Sequence, residues 1–158
     1  MQRKGVERAV REEVLARFFK DRATPAELAG DLRGSEQRVS DIQSIVEIED
    51  MQEEFVVTRG MAVALCDAVL SEELEPSALA TIGFALMASD KFSWDGEDVL
   101  GEIIADWSCP EINFTLNMEN VRQFRAWLME QEPYPVRPSA AAGSPKIISV
   151  RRKKSPQR

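Results

Sequence analysis

The segment SALATIGFALMAS, residues 77–89, constrains the fold more than any other part of the chain. It is apolar nearly all round a helical wheel and follows Pro76, so it reads as a helix enclosed by other elements. Thr81 and Gly83 interrupt it, and it falls short of the ~18 apolar residues that a bilayer span needs. A central helix of this kind requires amphipathic neighbours to cover it.

The rest of the chain supplies them. Val6, Val10, Val14 and Phe18 recur every four residues, flanked by Leu15 and Phe19, and predict a helix from about Gly5 to Lys20. Thr24, Pro25 and Glu27 form a capping box with proline at the first helical position, opening a second helix that should end near Gly34. Ser35 would cap a third, from Glu36 to about Ser44. Residues 44–58, SIVEIEDMQEEFVVT, place β-branched and aromatic residues on either side of an acidic centre and best fit a short β-hairpin, with a continued helix as the alternative because alternation is weak. Met61, Leu65 and Val69, with Ala62, Cys66 and Leu70, mark a helix ending near Leu74. After the loop DKFSWDG, Val99, Leu100, Ile103, Ile104 and Trp107 mark another, stopped by Pro110. Asn117 can cap the last, with Val121, Phe124, Trp127 and Leu128 inward. The expected fold is therefore mainly α: about six helices and a small β-hairpin in one domain, residues 1–135. Residues 136–145, rich in Pro, Ala, Gly and Ser, read as a linker, and 136–158 as a disordered basic tail in which Ile147, Ile148 and Val150 could add a transient strand; everything from Pro133 onward should be dispensable for folding.

The order helix, helix, turn, helix, hairpin over residues 10–58 resembles a winged helix-turn-helix, most closely within 24–58. Leu28, Ala29 and Leu32 stand where such motifs pack the second helix, Ser35 begins the third, and Val39 falls at its inward aliphatic position. The resemblance implies a third helix that reads DNA and a wing beside it. The turn departs from the pattern, with Arg33 at the usual glycine position and Gly34 one place later. The third helix would expose Glu36, Gln37, Ser40, Asp41 and Ser44, with Arg38 as their only cation. Duplex affinity comes largely from Lys and Arg neutralising phosphates, and the wing, VEIEDMQEE, holds five acids in nine positions instead. Three readings stay open: a helical hairpin sharing only the pattern, a winged helix used for protein contact, and a DNA reader, against which the charges weigh most.

Charge is segregated along the chain. Residues 1–22 carry seven basic and four acidic groups, net +3, whereas 23–135 carry six basic and 23 acidic groups, net −17. Residues 146–158 hold six cations and no acid, and the whole chain is −7. An acidic body between basic ends implies a basic protein partner; the tail's cations would support only weak, sequence-blind nucleic acid contact.

Enzymatic chemistry finds little material. The chain has no histidine, which removes the usual general base near neutral pH and both Ser-His and Cys-His catalysis. Cys66 and Cys109 are too few for a disulfide framework and read as reduced thiols. Residues 91–102 have oxygen donors at several calcium-loop positions, but Lys91 stands where the first aspartate belongs; Asp95 as a helix cap explains them better. Glycine spacing fits no phosphate loop. No catalytic residue, metal or cofactor is expected. The leading function is a small acidic, non-enzymatic, cytoplasmic interaction module (adaptor, regulator or immunity-type protein) without membrane association. Its candidate contacts are Glu47, Glu49, Asp50, Glu53 and Glu54, with Phe92 and Trp94 as aromatic anchors unless these fold back onto the core. The alternative is a winged helix-turn-helix regulator that takes its DNA affinity from the basic termini.

Overall fold

The computed structural model describes residues 10–32, 36–38, 43–94, 98–110, 114–135 and 147–153. Among them are six helices: α1 (Glu12–Phe19), α2 (Pro25–Leu32), α3 (Arg59–Leu70), α4 (Ala78–Ala88), α5 (Asp98–Ser108) and α6 (Met118–Leu128). Six strands join them: β1 (Val10–Arg11), β2 (Glu36–Arg38), β3 (Gln43–Glu49), β4 (Phe55–Val56), β5 (Phe92–Ser93) and β6 (Ile147–Lys153). The mainly helical architecture agrees with the sequence.

Local signals place most helices correctly. Thr24 Oγ1 accepts from the Glu27 amide at 3.1 Å and starts α2. Thr58 does the same for Met61, and Asn117 Oδ1 accepts from Asn120 N at 2.8 Å. The α4 helix touches α5, α2, β3 and β5, and buries Leu79, Ile82, Gly83, Ala85 and Leu86. It is not enclosed on every side, because Met87 remains 47% exposed. A methyl group on Gly83 would lie 2.8 Å from Trp107 Cβ and 2.9 Å from the Ile104 carbonyl, so α4 and α5 touch backbone to backbone there. Two aromatic clusters complete the core. Phe18, Phe19, Phe55 and Phe92 form one, and Trp107, Phe114, Phe124, Trp127 and Tyr134 the other.

The N-terminal third departs from expectation. Helix α1 starts at Glu12, because Val10 and Arg11 pair in parallel with Ile48 and Glu49. No third helix begins at Glu36: residues 36–38 are a strand, antiparallel to β3 through Glu36↔Val46, Gln37↔Ile45 and Arg38↔Ser44. A nine-residue helix is marginal without tertiary support, and β3, with Ile45, Val46 and Ile48, offers a strand partner that the helix signal does not outweigh. The recognition helix implied by the winged-helix resemblance is therefore replaced by strand at 36–38, and that fold does not hold. The hairpin is displaced too. β3 and β4 both form, but β3 turns back on β2, while β4 pairs in parallel with β5.

The C-terminal segment also differs. Ile147–Lys153, expected to be disordered, is a strand in parallel register with all of β3, from Gln43↔Ile147 to Glu49↔Lys153. Its Ile147, Ile148 and Val150 give it the strand preference. A strand has two edges, so β6 occupies one edge of β3 while β2 and β1 share the other. Nor does the folded part stop before Pro133. The Tyr134 ring lies 5.1 Å from that of Trp127, and its hydroxyl donates to Asp106 Oδ2 at 2.7 Å.

Candidate protein-interaction surface

The acidic stretch that the sequence singles out is held on the body from two sides. Phe55 anchors one end, stacked 5.9 Å from Phe19 and edge-on to Phe92 at 5.8 Å. At the other, the buried Glu12 carboxylate accepts from the Met51 amide at 3.1 Å. Between these ties residues 49–55 face α1 across a cleft of about 530 Å³.

Basic side chains of α1 and its flanks line the opposite wall: Arg11, Arg17, Lys20 and Arg22. Arg11 is fixed by Asp31, whose side chain is only 4% exposed and accepts from both the Arg11 amide and Nε at 2.8 Å. That hydrogen bond raises the Arg11 pKa against the cost of desolvation, with Glu49 and Glu13 adding attraction. Arg17 reaches Glu27 at 3.4 Å and the Arg22 carbonyl at 3.3 Å. Lys20 Nζ lies 5.5 Å over the Phe55 ring, within cation–π range. The cleft is a mixed-charge seam rather than a purely acidic one.

The sequence-predicted contact residues separate into four groups. Glu49 and Asp50 are half-buried on the cleft wall, and Glu53 and Glu54 are exposed on the loop. Glu47 lies within β3, where the register sets it beside Arg151, as it sets Glu49 beside Lys153. Phe92 is 5% exposed and sits in the first aromatic cluster, so its ring belongs to the core and offers a partner no surface. Trp94 is half-buried on α5, at Gly101.

Sequence reasoning missed Glu12, Asp31 and the Tyr134–Asp106 pair. A signal existed for Glu12, which precedes Leu15 and Phe19 by three and seven residues and so shares their helical face. Asp31 carries no comparable mark, because its partner Arg11 lies twenty residues away and outside its helix. Cys66 and Cys109 are both free, and burial pushes the Cys66 thiol up to about 12. The proposed cap Asp95 lies outside the described residues, as do Arg33, Gly34, Ser35, Val39, Ser40 and Asp41. Among the described residues no cluster of acids and cysteines is arranged to hold a metal ion, and no helix is long and apolar enough to cross a membrane. No protein-family model, no curated protein and no solved structure matches this chain.

Proposed function

We propose that this chain is a non-enzymatic interaction module that takes up a basic, extended segment of a partner protein along β3 and the acidic loop that follows it. One observation carries the reading. β3 already holds such a segment, the chain's own β6, in a seven-residue parallel register that sets Glu47 beside Arg151 and Glu49 beside Lys153. Adding a strand supplies main-chain hydrogen bonds whatever the sequence, and acidic residues at positions 47 and 49 of β3 then favour a cationic one. The absence of histidine agrees with a binding rather than a catalytic role. Weak contact of the remaining tail cations with nucleic acid is part of the same proposal, through charge alone.

The test uses the full chain with Ser149→Pro and Val150→Pro. These remove two β6 amide donors while keeping every charge. A synthetic peptide of residues 147–158 should then bind in trans, more weakly as salt rises, and should lose affinity when Glu47→Gln and Glu49→Gln are added. Failure of the peptide to bind a variant whose β6 is undocked by NMR would refute the reading.

A further inference from the structure

We infer a second contact surface, separate from β3: the groove between α4 and α5, built to dock a short partner segment that carries a large apolar side chain among lysines or arginines. The groove has a volume of about 830 Å³. Its accessible large apolar side chains are Met87 and the half-buried Trp94, and Met87 is the most exposed such side chain after Val56 among the described residues.

The groove is preformed by hydrogen bonds that fix the chain leading into it. Ser89 Oγ accepts from the amides of Lys91 at 2.9 Å and Phe92 at 3.1 Å, which turns the chain out of α4. Phe55 N donates to the Lys91 carbonyl at 2.8 Å and Val57 N to the Ser93 carbonyl at 2.7 Å, which hold β5 against β4. Phe92 is thereby turned into the core and Trp94 is delivered to the surface of α5. There it occupies the space a side chain at position 101 would need: a Cβ on Gly101 would lie 2.7 Å from Trp94 Nε1. A glycine inside a helix is unfavourable compared with alanine, and here its one structural consequence is the seat of a half-exposed tryptophan.

Charge identifies the occupant. The charged residues lining the groove are Asp98 and Glu102, one helical turn apart on α5, and no ion pair among the described residues engages either. Met87 and Trp94, with acids beside them that no described cation engages, complement a cationic segment with an apolar anchor and oppose an acidic one. Tryptophan and methionine are side chains that such contact surfaces favour.

The experiment uses the full chain and two synthetic peptides of equal charge, one with leucines between lysines, the other with serines in their place. The leucine peptide should shift the Trp94 indole and Met87 methyl NMR signals saturably, and the serine peptide should bind roughly tenfold more weakly or worse. Gly101→Ala, which favours the helix while displacing Trp94, should weaken the leucine peptide by about fivefold or more. Asp98→Asn with Glu102→Gln should do likewise and flatten the salt dependence. Equal binding of both peptides, or shifts confined to residues 50–55, would overturn the inference. So would sedimentation showing a dimer that Met87→Asp dissociates, since the occupant would then be a second copy. None of these outcomes touches strand uptake by β3, which the double-proline variant tests separately.

Discussion

Three of the helical glycines, Gly30, Gly83 and Gly101, meet three different surroundings, and the same substitution should therefore have three different outcomes. At Gly83 a new methyl group would stand 2.8 Å from Trp107 Cβ, 2.9 Å from the Ile104 carbonyl and 3.0 Å from Ser108 N. Two of these neighbours are backbone atoms of α5, so relief requires the helices to part. Overpacking of this kind costs about 3 kcal/mol, and the gain in helix propensity returns about 1 kcal/mol, leaving a net loss of about 2 kcal/mol. For a chain of this size that lowers Tm by about 4–8 °C. At Gly30 nothing lies within 4 Å, so alanine should stabilise by about 0.5–1 kcal/mol. At Gly101 the obstacle is the end of the Trp94 side chain, which can swing away, so the fold should be unharmed or slightly more stable. Urea titrations of the three alanine variants, followed by far-UV circular dichroism, read the differences directly. If Gly83→Ala is as stable as Gly30→Ala, the close α4–α5 contact is wrong, and with it the packing of the central helix.

Other outcomes follow from single contacts. Tyr134→Phe keeps the ring against Trp127 but removes a donor to the buried Asp106, and should cost about 1–3 kcal/mol by thermal or urea denaturation. The Cys66 thiol, pushed up to about 12 by burial, keeps its proton in the folded state at pH values where the unfolded chain loses it. Stability should therefore fall from about pH 9 toward pH 12, by as much as roughly 1.4 kcal/mol per unit, and Cys66→Ala should remove that slope in urea titrations. In gel shifts with duplex DNA, Arg38→Ala should change nothing, since Arg38 belongs to a strand, and any complex should dissolve at moderate salt.

What the sequence makes legible is whatever a helix announces locally. The stripes in α3, α5 and α6 and the caps at Thr24 and Asn117 are written within a few residues, and they appear where expected. Strand pairing is written at a distance. Nothing near Glu36 shows that Ile45 and Val46 will lie beside it, and nothing near Ile147 shows that Gln43 will. The apolar residues of the tail were visible, but a strand of seven residues has no stability until its partner is present. The same holds for the site: five clustered acids can be counted in the sequence, whereas the cations of α1 and its flanks that face four of them across the cleft cannot. Phe92 and Trp94 are two residues apart and look alike as candidates. Ser89 and the β4–β5 pairing send the first inward and the second to the surface.

Among the described residues, basic and acidic segments that are far apart along the chain come to lie side by side. Cations from the N-terminal segment line the cleft opposite residues 49–54, and β6 brings Arg151, Arg152 and Lys153 into register with the acidic half of β3. The acids that most invite a basic partner in the sequence are thus those the chain supplies with cations of its own. A partner strand entering at β3 has to displace β6, which is tethered through residues 136–146 and so competes at an effective concentration on the order of millimolar. A segment no better than β6 would need a similar concentration to win. An effective partner therefore needs affinity from elsewhere on the surface, and the groove beside Trp94 has what β3 lacks: acids at its rim, Asp98 and Glu102, that no cation of the described chain already engages.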